Sequence, residues 1–166
     1  MNAAYFRTLF DYSAWARQRL LAAVEQLPEQ EYFATRPLDY GSIHGTLVHT
    51  FVPEVFWLSC WQGVSPTRVL GPGDVRDLAE LERRWSEQGE QIRTYLDTVS
   101  DAQIMHATVD YVITEGDHLR RPLWQTMAQL INHGTHHRSE VANVVTQLGY
   151  SPGDLDMIIY FNLQDA

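Results

Sequence analysis

Two of the seven histidines, His133 and His137, stand four positions apart in the run Ile131-Asn132-His133-Gly134-Thr135-His136-His137-Arg138. On a helix, that spacing puts both rings on one face a single turn apart, within reach of one ion. Neutral imidazoles suit a divalent cation, since each presents a lone pair at about 2.0–2.1 Å from zinc. Two rings leave such an ion under-coordinated, so a third ligand must come from elsewhere in the chain. His44 and His49 are the candidates. His44 falls in a first helical turn, expected close to solvent, whereas His49 lies among Val48, Phe51, Val52 and Phe56 in mid-helix, where bundles build metal sites. The expected ligand set is therefore His49, His133 and His137. The competing expectation is a pair of core histidines hydrogen-bonded to neighbouring helices.

Other residues with chemical potential fit less well. Glu115 and His118 have the i, i+3 spacing of a di-iron ligand pair, but they occupy an expected turn and no second pair exists. His136 is rotated about 100° from His137 and is expected at a helix boundary. Cys60 lies about 16 Å along the helix from His49, too far to share its ion, and reads as a small buried hydrophobe. Trp57 and Trp61 are expected in the core or at an interface, with a pocket wall as the alternative role. No Asp or Glu can be placed beside the metal from the sequence, so no general base is assigned.

The elements that must position these side chains follow from periodicity. Phe6, Leu9, Phe10, Ala14, Leu20, Leu21 and Val24 recur at helical steps from Ala3 to Leu27, with Arg17 expected to lay its stem on the core and its head in water. After the turn formers of residues 28–41, Ser42 is the expected N-cap of a second helix running to about Gly63, with Pro53 expected to kink it near His49. The Gly71-Pro72-Gly73 breakers lead to Asp74 as the next expected N-cap, for a helix with Leu78, Leu81, Trp85, Ile92 and Leu96 inside and its end near Val99. Alternation from His106 to Thr114 and a Glu115-Gly116-Asp117 turn predict a small hairpin. Pro122 then opens a fourth long helix ending at Leu148, and the tail SPGDLDMIIYFNL forms a short closing helix. Along that fourth helix, Leu123, Leu130, Val141, Val144 and Leu148 continue the face of His133 and His137, so both rings should point inward. The expected fold is all-α: one four-helix-bundle domain over residues 1–166, with the hairpin before the fourth long helix and a short C-terminal helix.

Composition narrows the function. A 45% hydrophobic share supports a sizeable core, and no apolar run is long enough to span a membrane. The amino terminus carries Arg7, Asp11, Arg17 and Arg19 where a signal peptide needs an apolar stretch. One cysteine excludes an internal disulfide and fits a reducing compartment, so a cytoplasmic location is expected. A net charge of −9 disfavours nucleic acid.

The runs FDYSAWARQRLLAAVEQLP, GSIHGTLVHTFVPEVFWLSCWQG, NHGTHHRSEV and LGYSPGDLDMIIY resemble the DinB-like proteins of bacteria, in the same order from Phe10 to Tyr160. The resemblance implies a metal held by one histidine of the second helix and two of the last long helix, positions matched by His49, His133 and His137. Arg138-Ser139-Glu140 departs from the Arg, Gly and Gln of many relatives. DinB-like relatives include thiol-dependent S-transferases and isomerases. The expectation is a metal-dependent enzyme acting on a small molecule, as a hydrolase or as an S-transferase with a small thiol cosubstrate. Zinc or nickel is preferred among the metals that imidazole suits, and a homodimer is expected. The alternative is a non-catalytic bundle that a metal stabilises or that senses one.

Overall fold

The computed structural model describes residues 2–113 and 116–164. Side-chain caps start several of the helices. The Asn2 side chain accepts from the Tyr5 amide at the head of α1 (Ala3–Val24), and Ser42 does the same for Gly45 at the head of α3 (Ile43–Trp61). Between them, residues expected as a turn form a short α2 (Glu29–Phe33). Asp77, not Asp74, caps α4 (Leu78–Thr98); Asp74 instead closes a 3-10 turn, Pro72–Asp74, by accepting from the Gly71 amide. An additional helix, α5 (Asp101–His106), starts at Ser100 with a reciprocal Ser100–Gln103 cap, the S-x-x-Q signature that marks a helix start.

The hairpin is shorter than expected because α5 takes up His106. β1 (Thr108–Val112) pairs antiparallel with β2 (His118–Pro122), in the register Thr108 opposite Pro122 and Val112 opposite His118. Thr114 and Glu115 lie outside the described residues. Pro122 ends β2 and precedes α6 (Leu123–Gln147); beyond its Leu148 cap, Gly149 takes a left-handed φ of 93°. The closing helix α7 (Met157–Gln164) begins later than the tail's cap signals suggested.

Helix α1 packs against α4 and α6, and α3 packs against the same two. The buried residues fall into two apolar clusters. One holds Leu20 and Val24 with Leu47, Trp85 and Val145; the other holds Phe6 with Leu58, Leu96 and Met127. Their membership gives the direction of each helix: α1 and α6 run one way, and α3 and α4 run the other. A chain leaving α3 must therefore return the length of the bundle before α4 starts, and residues 62–77 make that crossover. Among the described residues, no helix is long and apolar enough to cross a membrane.

A polar layer separates the two clusters. Arg17 is buried there, so its head is not in water as expected; it faces Glu54 at 3.4 Å and lies 5.0 Å over the Trp85 ring. Arg138, also buried, donates to Ser13 Oγ at 2.7 Å and to Thr135 Oγ1 at 3.0 Å. Gly134 makes room for that guanidinium, since a Cβ there would stand 2.9 Å from Arg138 Nη1.

Candidate metal centre

The centre lies where α3 meets α6. His49, His133 and His137 each present a ligand atom, all within 4.8 Å of one another. His133 and His137 share a face of α6, as the one-turn spacing requires, and His49 reaches them from α3. His49 Nε2 and His133 Nε2 stand 3.0 Å apart. Two neutral lone pairs cannot satisfy each other at that distance: either one nitrogen carries a hydrogen, or a cation accepts both.

The electrostatics favour neutral rings. Burial, and then the neighbouring His137, pushes the pKa of His49 down to about 4; burial, His137 and His49 do the same for His133, also to about 4. Both rings therefore keep their lone pairs at neutral pH. His137 Nδ1 lies 2.5 Å from Glu140 Oε2. An ionised carboxylate can only accept, so Nδ1 carries the hydrogen and Nε2 is left as the ligand atom. His133 Nδ1 is buried without a hydrogen-bond partner among the described residues. Three convergent imidazole nitrogens, one of them on a ring oriented by a carboxylate, form a donor set that fits a divalent transition metal.

Tyr40 covers the site. Its ring stacks on His49, with centroids 3.5 Å apart and planes 14° apart, and meets the His137 ring edge-on at 5.6 Å. A close approach puts it there: a Cβ on Gly45 would lie 2.2 Å from the Tyr40 carbonyl oxygen, so only glycine lets this turn sit against the first turn of α3. Burial, followed by Asp39 and Glu140, raises the phenol pKa, and the hydroxyl stays protonated.

Neither Tyr40 nor Glu140 was assigned from the sequence. Glu140 had a signal, standing three residues after His137 on the same helix. Tyr40 had none in its own segment; the trace lies in Gly45, a glycine inside a helix. His44 is not near solvent. It is buried, with Nδ1 3.1 Å from the Tyr32 hydroxyl and Nε2 3.1 Å from the Pro72 carbonyl oxygen, and so ties α2 and the crossover to α3. His136 is exposed, 4.0 Å from Glu140. His118 sits on the exposed face of β2, while its expected turn partner Glu115 is outside the described residues. Cys60 is buried in the second apolar cluster. Trp61 is also buried and donates to Thr126 Oγ1 at 2.9 Å, whereas Trp57 takes the alternative role, lining a cavity of about 910 Å3 that reaches His49 and Tyr40. Pro53 stays within α3 and lines the same cavity.

Similarity to known proteins covers the same span as the bundle. A family model described as the DinB family matches residues 1–165. Protein DinB of Bacillus subtilis (strain 168) is 19% identical over 159 residues, covering 92% of this chain and 91% of that protein.

Proposed function

Because the chain belongs to the DinB family, we propose that it is a metal-dependent enzyme acting on a small molecule, a thiol-dependent S-transferase or a hydrolase. His49, His133 and His137 hold the metal, with zinc or nickel preferred. The observation that carries this reading is the convergence of three imidazoles at the edge of a cavity large enough for a small substrate. A divalent cation held by three uncharged ligands keeps its full charge and an open position, and so acidifies a water or thiol that binds it.

The chain's own residues perform the remaining tasks. Glu140 orients His137, and Tyr40 fixes the plane of His49 while offering a protonated hydroxyl beside the centre. Glu140 is the carboxylate in contact with the histidine cluster, and it is engaged with His137. Among the described residues, Glu140 is thus engaged in orienting a ligand ring, so either a water or a thiol would rely on the metal for its activation. A bundle merely clipped together by metal would have no use for the adjoining cavity. The single buried thiol of Cys60 is consistent with work in the reducing cytoplasm.

The test has two stages. Elemental analysis of the purified protein beside His137→Ala is expected to find a stoichiometric divalent metal in the first and little in the second; equal, negligible metal in both refutes the ligand assignment. The zinc- or nickel-loaded protein is then given an aryl electrophile with and without a small thiol. Consumption that needs the thiol supports the transferase, and consumption indifferent to it supports the hydrolase.

A further inference from the structure

The cavity beside the histidines is enclosed by four parts of the chain: Tyr40 in the turn before α3, the outer face of α3, the crossover that follows it, and the end of β1. Its volume, about 910 Å3, lies in the range of small-molecule sites. Phe56, Trp57, Val69, Leu70 and Val112 make up much of its wall, and none of its described lining residues is charged. Arg68 stands in the crossover between two lining residues, but its guanidinium is 74% exposed and engaged with Asp74. The chain as a whole carries a net charge of −9, so no long-range field draws an anion toward this opening.

The few polar groups are unevenly placed. His49 and Tyr40 mark the end at the metal centre, and Ser65 already accepts from the Val112 amide with its hydroxyl oxygen. The aromatic walls hold one another: Trp57 meets Phe56 edge-on at 5.2 Å and Tyr111 at 4.8 Å. Away from the end that His49 and Tyr40 mark, an anionic group entering such a site would lose its hydration and gain no countercharge from the described lining, a penalty that disfavours it. A flat apolar ring meets rigid aromatic surfaces instead.

We infer that this cavity takes an uncharged, largely apolar small molecule bearing an aromatic ring, and that it disfavours carboxylated or sulfonated molecules in its interior. The reacting group of that molecule then faces His49 and Tyr40, a clause that rests on the proposed function; the selectivity does not. An acidic thiol cosubstrate would have to keep its charged groups outside this cavity, at the solvent side of the centre.

A matched pair of fluorescent probes tests the selectivity on the metal-free full chain. N-phenylnaphthylamine is neutral, and anilinonaphthalene sulfonate is its sulfonated counterpart. The neutral probe should bind the metal-free protein at least about tenfold more tightly than the sulfonated one. Trp57→Ala should weaken it by about tenfold, as loss of a buried aromatic anchor does. Val69→Arg, at a wall position already 43% exposed and so tolerant of a charge, should narrow or reverse the preference. Equal or tighter binding of the sulfonated probe by the unsubstituted protein overturns the inference, as does neutral binding that neither substitution changes. Metal analysis stands apart: a protein without metal that still prefers the neutral probe loses its proposed reaction and keeps this specificity, and the opposite pair of results does the reverse.

Discussion

Two polar clusters interrupt the apolar interior, and they differ in whether the chain completes them. In the layer around Arg17, Glu54 and Arg138, the chain brings its own partners: a carboxylate faces one guanidinium, Ser13 and Thr135 accept from the other, and the rings of Trp85 and Tyr12 lie beneath the two. Around His49, His133 and His137, the nitrogens face one another without a countercharge between them, and one buried ring nitrogen has no partner among the described residues. Interior polar groups that serve the scaffold are mostly saturated by the scaffold, with Trp85 Nε1 and Arg36 Nε the exceptions among the described residues. Ring nitrogens that converge on one another, as those of the three histidines do, suit a cation that the chain itself does not encode.

The contrast breaks most visibly if His137→Ala still loads metal. Elemental analysis is expected to show near-complete loss, with the midpoint of urea unfolding of the metal-free chain lowered only modestly, by the loss of one buried ring outside the ion-paired layer. Glu54→Ala should behave oppositely. It strands a buried arginine, and breaking a buried ion pair costs about 3–5 kcal/mol, so denaturant unfolding should shift strongly while the metal content per folded chain holds. A scaffold variant that lost its metal in proportion to its stability would merge the two clusters into one.

Finer effects sharpen the same distinction. Glu140→Ala removes the group that orients His137, and zinc titration should show affinity falling by about 10–100-fold, with Glu140→Gln between the two because the amide oxygen still accepts. The smallest effect is one of pH. His49 and His133 titrate at about 4 in the folded chain, against about 6.5 for an unperturbed imidazole. Between those values the unfolded chain binds more protons, so the metal-free protein loses stability as pH falls from about 6.5 toward about 4, and these two groups add no pH dependence above about 6.5. Both rings retain contact with solvent, which makes the slope shallow. Melting temperature against pH should be steeper for the unsubstituted metal-free chain than for the His49→Gln/His133→Gln variant, and identical slopes would show that these rings are not the cause.

Much of the scaffold could be read from local pattern. The four long helices, the hairpin and the closing helix all appear in the expected order, because a helix is set by neighbours three and four residues away, although α4, the hairpin and α7 start later than their local signals suggested. Expectations failed where a distant partner decides. Arg17 looked like a surface head on a core stem, since nothing near it in sequence announces Glu54, thirty-seven residues on. His44 looked solvent-facing because its partners, Tyr32 and the Pro72 carbonyl, arrive from α2 and the crossover. The α5 cap was present as Ser100 and Gln103, but a helix of six residues has too short a period to stand out beside a strand.

The amino-acid sequence by itself determined that two imidazoles share a face of the last long helix, that a third stands mid-helix among apolar residues, and that no excess of positive charge draws anions to the surface. Tertiary structure alone decided that these rings meet, that Tyr40 lies flat on one of them, and that the returning crossover roofs α3 into an uncharged cavity. The physical reason is one of range. Helical geometry and net charge depend on residue types and short separations, whereas the cavity and the meeting of α3 with α6 exist only once segments tens of residues apart have packed.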